Sequence, residues 1–153
     1  MIYNHPSRLI APVKAAFDRG IVKLKAKGIA YEVTETLRMW ETQVAYFLQG
    51  RSTIGGVLSV KPVNVARKRA GLPPITDAGN KIITDTLESY HLEGKAFDIV
   101  PLGPKGERWY AAPKETWFAI AECFESEGFT WGGRWKPGPN GLGWDCPHFE
   151  KRA

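Results

Sequence analysis

Cysteine is scarce and long apolar runs are absent from this sequence of 153 residues. Its two cysteines, Cys123 and Cys146, are too few for a disulfide framework, and we expect both to be reduced thiols. No apolar run approaches the roughly 18 residues of a membrane-spanning helix, so we expect no membrane partner. The first 17 residues lack a signal-peptide core because Arg8, Pro12 and Lys14 interrupt them. We therefore expect synthesis in the cytoplasm and release by another route if the protein acts on a target outside.

Repeats and low-complexity tracts are also missing, and the composition is that of an ordinary soluble globular protein. Hydrophobic residues make up 43% of the chain and charged residues 24%, which is typical of a folded domain with a real core. The length suits one domain and is too short for two ordinary ones. We predict a single monomeric domain over residues 1–153.

An excess of positive charge is present, with a formal net charge of +5. This excess favours a polyanionic partner, either nucleic acid or an anionic bacterial wall. The basic run Arg67-Lys68-Arg69 is only three residues long and has no interleaved aromatic side chains. It is therefore more typical of a solvated face than of a nucleic-acid site, and we predict no nucleic-acid partner.

Hydrophobic periodicity predicts a mixture of helices and short strands. The predicted helices cover residues 6–27, 41–49, 63–70 and 113–128, and the predicted strands cover residues 31–38, 81–86, 96–100 and 129–131. The second helix is expected to bury Val44, Phe47 and Leu48. Residues 52–80 look like an elaboration beside a cleft, and the Gly-rich loop 132–143 looks like one wall of that cleft, with Trp131, Trp135 and Trp144 as candidate lining side chains.

The strand around Asp98 carries a carboxylate among apolar neighbours. The alternating run 96–100 places Phe97 and Ile99 on one face and Asp98 on the other. An unpaired buried charge costs several kcal/mol or more, so Asp98 needs a partner. His91, seven residues earlier, is one candidate.

A second cluster, Trp144-Asp145-Cys146-Pro147-His148-Phe149-Glu150, lies near the end of the chain. Joined with the first cluster, it predicts His91, Asp98 and His148 as three ligands of a metal ion, with Asp145 close by. Imidazole ligands favour Zn²⁺ over calcium or magnesium, and three ligands with an open fourth position are typical of a catalytic site. Cys146 as a fourth ligand is the weaker alternative, since it would close the site to water.

These residues carry a resemblance to a known family. The pattern Ser89-x-His91-x-x-Gly94-x-Ala96-x-Asp98, followed by Trp144-Asp145-x-x-His148-Phe149-Glu150, resembles the M15 family of zinc peptidases. That family includes D-alanyl-D-alanine carboxypeptidases and dipeptidases, and L-alanyl-D-glutamate endopeptidases among phage endolysins. An aspartate at position 145 is more similar to the endopeptidase branch. The resemblance implies an α+β, Hedgehog/DD-peptidase-like fold, with a small antiparallel sheet and flanking helices.

The resemblance also implies residue roles. Asp145 would be the catalytic base, and Arg38 would bind substrate and polarise its carbonyl group. Gln43, which lies before a Gln49-Gly50-Arg51 sequence, would help to bind substrate. Ser89 would donate a hydrogen bond to substrate or to a ligand, and a turn-stabilising serine is an equal alternative. Without the resemblance, Arg38 would be interpreted as a surface arginine paired with an acid.

The function implied is a zinc metallopeptidase that hydrolyses peptidoglycan stem peptides between L-alanine and D-glutamate, as a bacteriolytic phage endolysin. The alternatives are a D-alanyl-D-alanine carboxypeptidase or dipeptidase with the same zinc chemistry, and a wall-binding module without catalysis. The partner in all three cases would be bacterial peptidoglycan.

Overall fold

An antiparallel sheet carries both halves of the predicted metal-binding motif at its centre. The computed structural model describes residues 2–152, so residues 1 and 153 of the predicted domain lie outside the described part. The strands are β1 (Tyr31–Glu35), β2 (Thr53–Ile54), β3 (Val57–Leu58), β4 (Ala96–Pro101), β5 (Thr130–Trp131) and β6 (His148–Glu150). Four of them form one sheet in the order β1-β4-β6-β5, and β2 and β3 form a separate hairpin.

Residues 2–152 form four α-helices, which are α1 (Ala11–Ala26), α2 (Trp40–Leu48), α3 (Val60–Arg69) and α4 (Lys114–Glu125). Helices α1 and α4 pack on each other and enclose the main core together with one face of the sheet. The Phe97 ring on β4 stands 4.8 Å from Phe17, 4.9 Å from Phe124 and 5.4 Å from Phe149. Burying each such ring contributes roughly 1.5–3 kcal/mol, so this cluster holds β4 firmly in place. The predicted α+β class is confirmed.

Strand β4 presents its two faces as the alternation predicts. Phe97 and Ile99 are fully buried in the core, whereas Asp98 lies on the opposite face and is partly exposed. Antiparallel pairing sets Asp98 opposite Glu35 of β1 and opposite His148 of β6. The middle of the sheet therefore brings together side chains that are far apart in the sequence.

The predicted strand over residues 81–86 is wrong, because this segment is irregular. It leads from α3 to the metal-binding motif, and it pairs with none of the strands formed by residues 2–152. Instead, the Gln49 side-chain amide donates to the carbonyl groups of Gly79 and Lys81, at 3.1 and 3.2 Å. Ile82 and Ile83 stay about half exposed. Their β-propensity is not realised because propensity needs a partner strand.

The predicted apolar stripe of α2 is also wrong. Val44, Phe47 and Leu48 are only partly buried, and the buried positions of this helix are Thr42, Gln43 and Ala45. Gln43 forms a hydrogen bond with Arg38, and Ala45 packs against Ala70 and Leu72 at the end of α3 rather than in the aromatic core. Two of the three buried side chains are polar, and a search for apolar periodicity does not detect them.

The β2–β3 hairpin was missed within the 52–80 segment. Its turn is Gly55-Gly56, with both residues at positive φ (59° and 79°). Glycine adopts this conformation without steric cost, so two adjacent glycines between short β-branched or apolar pairs are a hairpin signal. The predicted helix 63–70 is present as α3 but begins earlier, at Val60.

Two smaller expectations concern thiols and membrane spans. Cys123 and Cys146 are both free thiols. Within residues 2–152, no helix combines the length and the apolar character that crossing a membrane requires.

Candidate metal centre and catalytic cleft

The three predicted metal ligands converge at one point of the sheet. His91 Nε2 and His148 Nδ1 lie 3.1 Å apart, and each lies 3.2 Å from Asp98 Oδ1. Ligands of a tetrahedral zinc ion with bonds of about 2.0–2.1 Å are about 3.3 Å apart. The triangle therefore fits a zinc ion in both size and donor chemistry, and these three side chains would hold the ion.

Local backbone features place each ligand. His91 lies in a 3-10 helix (Tyr90–Glu93) that Ser89 caps by accepting a hydrogen bond from the His91 amide, at 3.2 Å. Gly94 ends that helix with φ of 67°, and a Cβ there would lie only 2.9 Å from the Arg8 carbonyl oxygen. This position therefore requires glycine, and the sharp end returns the chain directly into β4.

A turn at Cys146-Pro147 separates Asp145 from His148. The His148 amide donates to the Asp145 carbonyl oxygen at 3.2 Å, and β6 begins at His148. In a regular strand, residues three apart point to opposite faces. The turn removes that constraint, so both side chains line the same cleft.

Backbone and carboxylate partners orient the two imidazole rings. His91 Nδ1 donates to the Thr36 carbonyl oxygen at 2.8 Å, which leaves Nε2 as the ligand atom. His148 Nε2 lies 2.9 Å from Glu150 Oε1, which leaves Nδ1 as the ligand atom. Such partners fix the tautomer and the direction of the lone pair. Sequence reasoning assigned no role to Thr36 or Glu150, although strand periodicity puts Glu150 on the same face as His148.

Charge coupling within the triangle is strong. Burial opposes ionisation of Asp98, but the neighbouring His91 and His148 hold its pKa well below the usual range. Burial opposes protonation of His148, yet hydrogen bonds to Asp98 and Glu150 raise its pKa to about 9. Carboxylates thus surround the site, and their combined negative charge attracts a cation.

Asp145 lines the cleft next to the triangle. Burial and repulsion from Asp98 raise the pKa of Asp145 to about 6, against the opposing effects of His148, His91 and Arg38. The close approach of Gly132 leaves no space beside it, since a Cβ on Gly132 would lie 2.4 Å from the Asp145 carbonyl oxygen. A carboxylate with a pKa near neutrality is suited to accepting and returning a proton.

Arg38 is a buried cleft residue, so its interpretation as a surface arginine does not hold. Its side chain is 12% exposed and forms an ion pair with Glu35. Its Nη1 donates to Gln43 Oε1 at 2.9 Å, and its guanidinium lies over the Tyr46 ring, 4.9 Å from the centroid. Burial works against the charged form, but Glu35 raises the pKa of Arg38 further. Sequence reasoning missed Glu35.

Gln43 does not reach the cleft, which corrects the predicted contact with substrate. It is fully buried, its oxygen accepts from Arg38, and its amide donates to the Thr86 carbonyl oxygen at 2.7 Å. Both ends are thus used within the protein. The predicted convergence of Arg38 and Gln43 is present, but Gln43 acts by positioning Arg38 and the 81–89 loop.

The remaining candidates divide between cleft and core. Ser89 lines the cleft and also caps the 3-10 helix, so both of its alternative roles are compatible with its place. Trp135 and Trp144 line the cleft with ring centroids 5.7 Å apart, whereas Trp131 is buried in the core. Cys146 packs against the core, and its thiol lies 3.5 Å from the Gly143 carbonyl oxygen, outside the triangle.

Residues 83–151 match the model of an M15 peptidase family, described as D-alanyl-D-alanine carboxypeptidase. This segment contains all three ligands and Asp145. The part of the chain that carries the metal triangle is therefore similar to M15 peptidases. No curated protein matches the chain by sequence.

Several solved structures are similar to this chain over nearly its whole length. The chain is similar to VanYB in complex with D-alanine-D-alanine, with a TM-score of 0.54 and 17% identity, over 95% of this chain and 72% of that one. It is similar to the LD-carboxypeptidase LdcB, with a TM-score of 0.52 and 14% identity, over 94% and 58% of the two chains. The L-Ala D-Glu endopeptidase ChiX of Serratia marcescens aligns with a TM-score of 0.47 and 22% identity, over 96% and 79%.

Proposed function

We propose that this protein is an M15 zinc peptidase that hydrolyses peptidoglycan stem peptides between L-alanine and D-glutamate. The observation that carries the proposal is the His91–Asp98–His148 triangle with Asp145 in the same cleft. A module that only binds the wall needs neither a carboxylate of raised pKa nor a buried arginine at its metal site. These two groups favour catalysis over the non-catalytic alternative.

The chain's side chains divide the chemistry between them. Bound zinc would supply a Lewis acid that polarises the scissile carbonyl and lowers the pKa of a water molecule towards about 7. Asp145 takes a proton from the attacking water on its carboxylate and returns it to the leaving amine. Arg38, held by Glu35 and Gln43, contributes a fixed positive charge towards the oxygen that becomes negative.

The family description and the relatives of the fold support peptidoglycan as the substrate class. The family model is described as a D-alanyl-D-alanine carboxypeptidase, and VanYB binds D-alanine-D-alanine. The LdcB structure concerns peptidoglycan recognition. The cleft has a volume of about 690 Å³, within the ~300–1,000 Å³ range of small-ligand sites. Aspartate rather than glutamate at position 145 supports the endopeptidase branch by resemblance.

A D-alanyl-D-alanine carboxypeptidase is the second candidate, and the description of the matched family favours it. Purified zinc-loaded protein incubated with isolated cell walls separates the two. We expect new D-glutamyl amino termini, identified by end-labelling and mass spectrometry. Release of free D-alanine without new amino termini would establish the carboxypeptidase instead, and no cleavage product of either kind would overturn the proposal.

Asp145→Asn is the control for this assay, since it removes the proton acceptor while leaving the three ligands in place. The phage origin, the monomeric state and the release from the cytoplasm through a permeabilised membrane stay predictions.

A further inference from the structure

The net charge of the protein resides in one segment. Residues 51–81 contain six basic residues and one acidic residue, Asp77, whereas the rest of the chain has fifteen of each sign. The segment includes the β2–β3 hairpin and α3, and it ends before residue 83, where the family match begins. The basic charge of this protein is therefore a local property of the segment and not a general surface property.

Most of these cations have no acidic partner. Lys61, Lys68, Arg69 and Lys81 are exposed, and none of them forms an ion pair with a carboxylate in the described part of the chain. By contrast, Lys23 on α1 lies 2.8 Å from a carboxylate. Adjacent cations without acidic partners repel one another. An external anion would therefore be attracted by their whole positive charge, because no carboxylate of the protein neutralises part of it.

Exposed aliphatic side chains lie among these cations. Ile54, Val57 and Leu58 on the hairpin are 54%, 70% and 51% exposed. On α3, Val65 is 55% exposed, and helical spacing puts it between Lys61 (i−4) and Lys68 (i+3), opposite the buried Val63.

We refer to Ile54, Val57, Leu58, Lys61, Val65, Lys68 and Arg69 as the basic hairpin–helix surface. Ser59 joins its two parts: it follows the hairpin directly and caps α3, and its amide donates to the Ser52 carbonyl oxygen at 2.9 Å. The short connection keeps the apolar hairpin and the basic helix adjacent.

We propose that the basic hairpin–helix surface docks on an anionic lipid bilayer. Lysine and arginine side chains pair with anionic headgroups, and aliphatic side chains enter the boundary between headgroups and acyl chains. A wall polyphosphate or a nucleic acid would satisfy the cations but leave the aliphatic side chains in water. The segment 51–81 has no aromatic residue, so it offers no stacking platform for bases or sugars.

This docking revises the expectation of no membrane partner, which rested only on the absence of a spanning segment. A protein that lies on a bilayer needs no such segment. The surface is separate from the metal triangle, but it adjoins the cleft because α3 packs on α2, whose Tyr46 lines that cleft. The proposal is therefore independent of which bond the enzyme cleaves.

Co-sedimentation with lipid vesicles tests the proposal on the full chain. We expect binding to vesicles of equal parts phosphatidylglycerol and phosphatidylcholine, weakening with salt, and little binding to phosphatidylcholine alone. Each basic residue near such a surface contributes about 1 kcal/mol, or roughly fivefold in partitioning. The variant K61Q/K68Q/R69Q is thus expected to bind about 100-fold more weakly.

The variant K25Q/K105Q/K114Q is the matched control, because it removes three exposed cations without acidic partners elsewhere and has the same net charge. We expect only a few-fold loss for this control. The apolar contribution is tested with the double variant Ile54→Ser/Val57→Ser and compared with Val22→Ser on α1. We expect vesicle binding to weaken about tenfold for the hairpin variant only. Circular dichroism verifies that each variant is folded.

Three results would overturn the proposal: no preference for the anionic vesicles, equal losses in the two charge variants, or unchanged binding of the hairpin variant. If the hairpin variant binds vesicles as well as the unaltered protein does, and polyphosphate or nucleic acid binds as tightly as the anionic vesicles, the surface is a general polyanion site instead. Hydrolysis of a soluble stem peptide is expected to be unchanged in all these variants, since none of the substituted residues lines the cleft.

Discussion

The contact between Glu150 and His148 offers the sharpest test of the metal centre. Glu150 is 4% exposed, and its Oε1 lies 2.9 Å from His148 Nε2, while its other oxygen accepts from Arg152 at 2.7 Å. Glu150→Gln keeps the size of the side chain but removes its charge. The neutral amide no longer strengthens the imidazole as a donor and can present an N–H group to Nε2, which favours the wrong tautomer.

Loss of such a partner weakens metal binding about 10- to 100-fold, which corresponds to roughly 1.4–2.8 kcal/mol. We expect this loss for Glu150→Gln, measured by competition with a chromophoric zinc chelator at pH 7.5. Glu122→Gln removes an exposed carboxylate far from the site and is the control, with unchanged affinity expected. Unchanged zinc affinity in Glu150→Gln, with the fold intact, would refute the assignment of His148 Nδ1 as a ligand atom.

Three further predictions concern the same cleft. Zinc must displace the proton of His148, whose pKa is about 9 without metal. The affinity for zinc is therefore expected to fall at least about tenfold for each pH unit below pH 9. Calorimetric zinc titrations at pH 6.5, 7.5 and 8.5 measure this dependence, and an affinity that does not change with pH would contradict it. Asp145→Asn is expected to lower kcat about 10²- to 10⁴-fold with zinc affinity nearly unchanged, whereas a parallel loss of zinc would show that Asp145 is a ligand. In the variant Arg38→Lys, the lysine side chain cannot bind Glu35 and Gln43 together as the planar guanidinium does. We therefore expect kcat/KM on a stem peptide to fall at least about tenfold. Full activity of this variant would show that Arg38 has no part in the mechanism.

Part of the fold could be predicted because its signals are local. Helices α1 and α4 follow from apolar side chains at helical spacing, and β4 follows from its alternation. The strand predicted at residues 81–86 failed because strand formation depends on a partner elsewhere in the chain. The buried positions of α2 were not predicted because two of the three, Thr42 and Gln43, are polar, and a search for apolar periodicity does not detect them.

The candidate site shows the same division. Histidine and aspartate at these spacings already predicted His91, Asp98 and His148 as ligands, because few other residue types bind zinc and strand geometry limits where they can point. The sequence also placed Asp145 beside them and Arg38 near Gln43. Family resemblance supplied their roles, which the measurements above test.

The amino-acid sequence by itself determined which groups are available for chemistry and which short segments carry them. Only the tertiary structure decided how these groups are held: the Thr36 carbonyl meets His91 across 55 positions of chain, and Gln43 turns inward to Arg38 rather than out to the cleft. Such contacts depend on where the backbone passes after the core has packed. No local pattern of residues encodes that path, because it results from the sum of many weak burial and pairing energies.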